Sequence, residues 1–174
     1  MSFEQKNIVI TSAVRTAIGT FRGALKSMQG HDLGSIVVKE SMKKANLKSE
    51  DIDELIMGQV LTSATGQNPA RQTAIKAGLP IEKTAYVINQ VCGSGLRSVA
   101  AGYQAIMSND SKVVIAGGQE SMTNAPHAIN FRNGQKLEES KLIDTMIKDG
   151  LWDAFNGYHM GITAENVATE WQIT

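Results

Sequence analysis

The chain has 174 residues, enough for one well-packed core and a smaller appendage. Its 17 basic and 17 acidic residues cancel, which argues against a nucleic-acid or anionic-membrane partner held by bulk charge. One cysteine excludes an internal disulfide, no apolar run reaches the ~18 residues of a membrane span, and the first six residues lack an apolar signal core, so the expected location is the cytoplasm.

Strand-like and helix-like runs alternate along the chain. Residues 7–14, with Ile8, Val9 and Ile10, read as a buried strand. Leu33, Ile36, Val37 and residues 40–45 read as a helix with Asp32 as N-cap. Residues 55–61 form the next strand. Asn68-Pro69 opens a helix, Asn as cap and Pro at the first helical position, and Gly78-Leu79-Pro80 stops it. Residues 85–91 are a third strand. After Cys92, Leu96, Val99, Ala100, Tyr103 and Met107 recur at three- and four-residue steps and read as one core-facing side of a helix. Residues 112–117, with Val113, Val114 and Ile115, are a fourth strand. This repetition predicts an α/β domain with mostly parallel pairing and right-handed crossovers, its sheet covered on both faces.

Beyond Ser121 the text becomes polar. Residues 130–134 read as a turn, residues 142–147 as a short helix, and residues 150–161 as a loop carrying Trp152, Phe155 and Tyr158. A last helix is expected after Thr163 as N-cap, with Ala164, Val167, Ala168 and Trp171 on one face and no stop signal before Thr174. His31, His127 and His159 stand far apart with no partner at ligand spacing, so no metal site is expected.

The chemistry points to Cys92. An apolar, β-rich run stops there, Gly93-Ser94-Gly95 turns, and a helix begins. A thiol at a helix entrance faces free backbone N–H groups and the positive end of the dipole, which favour the nucleophilic thiolate. Two plainer readings stand beside this one. A lone cysteine is most often a small buried hydrophobe. The Gly-Ser-Gly turn also suits an anion, although its glycine spacing matches neither common nucleotide fingerprint.

Residues 88–99, Ile-Asn-Gln-Val-Cys-Gly-Ser-Gly-Leu-Arg-Ser-Val, resemble the nucleophile segment of thiolases of the biosynthetic, acetyl-CoA acetyltransferase type. Residues 7–19 resemble that family's opening strand and loop, residues 117–123 (Gly-Gly-Gln-Glu-Ser-Met-Thr) the turn after its fourth strand, and residues 158–168 part of its substrate-covering loop region. The resemblance implies a βαβαβαβ half-domain over residues 1–121 and the start of the loop region over 122–174, the chain stopping at about half the family's length. It implies that Cys92 is acetylated by acetyl-CoA and that a second acetyl-CoA, deprotonated at its methyl carbon, attacks to give acetoacetyl-CoA and CoA. The reverse reaction is thiolysis. No metal or redox cofactor is implied, and a homo-oligomer, dimer or tetramer, is expected of the full-length form.

By the same resemblance His159, Met160 and Leu151 contact the pantetheine arm or acyl group. His159 also reads as a loop histidine bonded to backbone, and Met160 as plain packing. Arg97 reads as a structural helix residue, and Gln67 and Asn89 receive no role. The family's activating histidine and second, acid–base cysteine find no counterpart in this sequence. Two other readings remain: a non-catalytic half-domain that works by associating with a partner chain, and a condensing enzyme of the ketoacyl-synthase kind. Residues 119–122 and 158–168 favour thiolase over the latter.

Overall fold

A computed structural model describes residues 7–132, 134, 136 and 141–174. The chain divides into two compact units, the first ending at Asn124 and the second running from Ala125 to Thr174. Among the described residues no helix is long and apolar enough to cross a membrane.

The first unit is built on three parallel strands, β1 (Glu54–Gly58), β2 (Thr84–Ile88) and β3 (Val114–Gly118), in the order β2-β1-β3. Helix α1 (Gly30–Ala45) precedes β1, α2 (Pro69–Ala77) links β1 to β2, and α3 (Ser94–Met107) links β2 to β3. The two connections run in opposite senses across the sheet. Right-handed crossovers therefore put α2 on one face and α3 on the other, with α1 packed beside α2. The α/β character with a parallel sheet is the architecture expected from the strand–helix alternation.

The core lies between β1 and the α1–α2 layer. Leu55, Ile56 and Met57 of β1 are fully buried, joined by Val38, Ile52, Ala70, Ala74 and Leu79. Three successive apolar residues, Leu55 to Met57, are what a central strand covered on both faces requires. Each of the large side chains contributes about 1.5–3 kcal/mol by leaving water.

The ends of the elements are fixed by specific bonds. Asn68 caps α2, its Oδ1 accepting from the Arg71 N–H at 3.1 Å, and Gly78 closes it at φ 90°. Gln29 is the N-cap of α1. Asp32, read from sequence as that cap, sits one turn inside and accepts the Gln29 N–H at 3.0 Å. Its carboxylate also pairs with Lys76 of α2, and that ammonium holds it below the usual carboxylate range.

Two further expectations fail in this unit. Residues 7–14 form no strand: they join no ladder, and Val9 and Ile10 are 73% and 79% exposed. The free edge of β3 lies across an open cleft from them, so their backbone has no partner. The apolar side of α3 is also reversed. Ser94, Ser98 and Gly102, spaced by four, are the buried residues, whereas Leu96 is 78% exposed, Ala100 is exposed, and Val99 and Tyr103 line the open cleft beside β3. Small residues win because α3 lies so close to the sheet: a Cβ on Gly102 would meet Val114 Cγ1 at 3.1 Å.

The second unit holds a two-stranded antiparallel ladder, β4 (His127–Ala128) with β5 (Ile143–Asp144), and α4 (Met160–Trp171). The short helix expected at 142–147 is instead β5 followed by a π-helical turn, Met146–Leu151. Asp144 Oδ1 starts that turn by accepting the N–H groups of Met146 (2.9 Å) and Ile147 (3.3 Å). In the expected turn at 130–134, the Gly134 N–H reaches Phe131 O at 3.1 Å, while Asn133 lies outside the described residues. Helix α4 begins three residues before the expected Thr163 cap. It also has a stop: Gln172 adopts φ 50° and the Ile173 N–H returns to Ala168 O at 2.9 Å.

The reversed face of α3 gives a direct check. Leu96→Lys is expected to change unfolding free energy by no more than about 0.5 kcal/mol, as at an ordinary surface site. Leu55→Ala is expected to cost about 2–5 kcal/mol. Urea titration of the two variants measures both.

Candidate functional site

Cys92 is exposed and lies between the end of β2 and the N-cap of α3, Gly93. Its turn is tightly specified. Asn89 Oδ1 accepts the Val91 N–H at 2.9 Å, and the Gly93 N–H reaches Gln90 O at 3.0 Å. Ser94 Oγ accepts the Gln90 N–H at 2.8 Å and donates to Val91 O at 2.6 Å. These bonds hold Val91 at φ 48°. A β-branched residue in that region carries strain on the order of 1–3 kcal/mol, and such strain persists only where the surroundings over-determine it.

The turn rests on the C-terminal ends of the strands, the side of a parallel sheet where ligand crevices form. A cleft of about 340 Å³ opens there, with Cys92 and Gly95 on one wall and residues 58–60 and 118–120 on the others. Gly58 lets the start of α3 pack directly against β1. A Cβ at that position would stand 2.5 Å from Ser94 C and 2.6 Å from Gly95 N. Ser98 Oγ lies between the carbonyls of Gly95 (2.6 Å) and Gly117 (2.7 Å), tying the first turn of α3 to β3.

Opposite the thiol, a polar network stitches the exits of β1 and β3 together. Gln119 Nε2 donates to Gln59 Oε1 at 2.9 Å, Gln59 Nε2 donates to Leu61 O at 2.9 Å, and Thr73 Oγ1 donates to Gln119 Oε1 at 2.6 Å. The Glu120 carboxylate accepts the N–H groups of Val60 (2.8 Å) and Leu61 (3.2 Å). Burial pushes its pKa above the usual value, and the two amide donors offset that only in part. Sequence reading gave Gln59, Ser94, Ser98 and Glu120 no role. Gln59 follows Gly58 and Ser94 stands between Gly93 and Gly95, a signal visible once the strand ends are known to converge; Ser98 and Glu120 adjoin no glycine.

The other expected site residues belong to the second unit. His159 is the N-cap of α4, its Nδ1 accepting the Gly161 N–H at 2.9 Å, which is the backbone-bonded alternative noted for it. Met160 opens the helix and is partly exposed. An antiparallel bridge between Trp152 and His159, with the Asp153 N–H on Tyr158 O at 2.8 Å, brings Leu151 close to His159 and Met160. Asn89 gains a turn-shaping role, and Gln67 O accepts from Gln72 Nε2 at 2.9 Å.

Two outcomes are expected at this site. Gly58→Val forces the α3 entrance off β1 and costs about 1–3 kcal/mol of stability, read from the urea midpoint. For Glu120 the folded pKa is raised, so its contribution is present below the unfolded value and lost as pH rises through the folded one. As pH rises upward from the usual glutamate range, the stability of the native chain should therefore fall relative to Glu120→Gln, which does not titrate. Urea midpoints of both proteins at a series of pH values measure the difference.

Comparison with known proteins agrees with this geometry. The family model "Thiolase, N-terminal domain" matches residues 8–174. The chain is 58% identical over 168 residues to an acetyl-CoA acetyltransferase of Rhizobium meliloti, covering 97% of this chain and 43% of that protein. It is 57% identical over 166 residues to an acetyl-CoA acetyltransferase of Paracoccus denitrificans (95% and 42%) and 54% over 169 to one of Cupriavidus necator (97% and 43%). It thus spans less than half the length of these curated relatives. With a parallel sheet, the Cys92 turn at its carboxyl edge and a match to the N-terminal-domain model across nearly every residue, the chain belongs to the thiolase family.

Proposed function

We propose that this chain carries the nucleophile of an acetyl-CoA C-acetyltransferase, and that Cys92 is the residue acylated. The observation that carries the reading is the exposed thiol at the entrance of α3, at the mouth of a cleft formed by three strand ends. The names of relatives up to 58% identical support the substrate class. In this reading Cys92 Sγ attacks the thioester carbonyl of acetyl-CoA, the C–S bond to CoA breaks, and CoA leaves as the thiol. In this reading the amide N–H of Cys92 donates to the oxyanion. A second acetyl-CoA loses a methyl proton to a base, its α-carbon attacks the acetyl-cysteine carbonyl, and Sγ leaves as acetoacetyl-CoA forms. The thioester itself acidifies the methyl group, so the reaction calls for no metal or redox group.

The base is not supplied by a second cysteine of this sequence, for Cys92 is its only one. Leu151, His159 and Met160 are assigned to the pantetheine arm or acyl group. The full-length protein is expected to act as a homo-oligomer in the cytoplasm. The second reading, a half-domain that acts by pairing with a partner chain, draws support from the outward apolar face of α3.

The test is acyl capture. The full-length protein incubated with acetyl-CoA is expected to gain one acetyl group on the Cys92 peptide by mass spectrometry, and Cys92→Ser to gain none there. Acetylation only elsewhere, or none, would reject the reading. Residues 1–174 alone are expected to turn over slower by orders of magnitude, because a nucleophile and its base act as a unit.

A further inference from the structure

We propose that Asn89 and Ser94 are positioning residues for Cys92, an inference that rests on Cys92 being the residue acylated. Between them they tie off the amides of the turn and leave one N–H, that of Cys92 itself, for the acyl oxygen. The hydrogen bonds divide in this way. Asn89 Oδ1 accepts the Val91 N–H at 2.9 Å, and Ser94 Oγ accepts the Gln90 N–H at 2.8 Å. The Gly93 N–H goes to Gln90 O at 3.0 Å and the Ser94 N–H to Val91 O at 3.1 Å. Of the amides from Gln90 to Ser94, that of Cys92 alone has no hydrogen-bond partner among the described residues. Cys92 is exposed and lines the cleft of about 340 Å³ at the strand ends, where a ligand meets that amide.

The Ser94 hydroxyl acts on the right peptide unit. It donates to Val91 O at 2.6 Å while accepting from Gln90. Val91 C=O and Cys92 N–H belong to one planar, trans peptide unit and point in opposite directions, so a bond that fixes the carbonyl aims the N–H. Asn89 fixes the preceding peptide unit through the Val91 N–H. Val91 is held between the two at φ 48°, a conformation a β-branched residue keeps only under such constraint. The clamp is also referred to the sheet. Ser94 is 4% exposed, and its backbone lies so close to β1 that a Cβ on Gly58 would stand 2.5 Å from Ser94 C. When Sγ adds to a thioester carbonyl, the C=O electron pair moves onto oxygen, and a donor already aimed there stabilises the charge as it develops. Alkylation by iodoacetamide uses the same thiolate, but Sγ displaces iodide and no oxyanion forms. The two reactions therefore separate an aimed N–H from a merely accessible sulfur.

The full-length protein is quenched during its first turnover at saturating acetyl-CoA, and the acetylated Cys92 peptide is followed by mass spectrometry. Iodoacetamide alkylation of the same peptide is timed in parallel. Ser94→Ala and Asn89→Ala are each expected to slow acylation about tenfold or more and to leave the alkylation rate nearly unchanged. Asn89→Ser keeps an oxygen that accepts the Val91 N–H and is expected to recover most of the lost rate. Asn89 is exposed, so its variants keep the fold and carry the test by themselves should Ser94→Ala not fold. Acylation at the native rate in Asn89→Ala would overturn the proposal. So would acylation and alkylation slowed by the same factor, which would make the clamp a determinant of the thiolate rather than of the N–H, and so would an Asn89→Ser no faster than Asn89→Ala. No acetyl group on Cys92 of the native protein would overturn the assignment of Cys92 itself, and the positioning roles with it.

Discussion

The closeness of α3 to the sheet governs the rest of this structure. Gly58 on β1 and the Ser94–Ser98–Gly102 row on α3 leave no room for larger side chains where helix and strands touch. That contact fixes the height of the α3 entrance above the strand ends, and so the place of the Cys92 sulfur. It also decides which way α3 faces. A helix that meets its sheet through hydroxyls and hydrogens must turn its leucine, valine and tyrosine elsewhere. The close approach at the site and the apolar outer face are one fact seen from two sides.

The polar groups nearby follow from the same convergence. Three strand ends meeting under one helix bring backbone donors and acceptors together out of solvent, and each needs a partner. Gln59, Gln119 and Thr73 provide them in a chain of bonds, and Glu120 takes two amides at once. A carboxylate accepting two backbone N–H groups is a firm brace, although burial works against its charge. The wall of the cleft opposite Cys92 is thus held by side chains with no chemistry of their own to perform.

Much of this was legible in the sequence. The runs read as strands at 55–61, 85–91 and 112–117 contain most of β1, β2 and β3, each strand shorter than or offset from its run, and Asn68-Pro69 and Gly78 marked α2 because cap and stop signals act locally. Cys92 stood out because a strand, a Gly-Ser-Gly turn and a helix follow one another without a gap. What failed depended on distant partners. Ile8 to Ile10 have strand character, yet a strand needs a neighbour within hydrogen-bonding reach. The periodicity of α3 identified two sides correctly and chose the wrong one, since hydrophobic spacing is blind to a helix that packs through small residues. At Thr163 the cap residue type was right for a helix start, but the His159 imidazole had already begun the helix one turn earlier.

A lone thiol at an exposed turn between two rigid elements has a practical consequence. In the 174-residue chain a maleimide fluorophore or nitroxide spin label would attach at a single known position. Because the bonds from Asn89 and Ser94 hold that turn still, the probe's signal would report what enters the crevice rather than wandering of its own tether point.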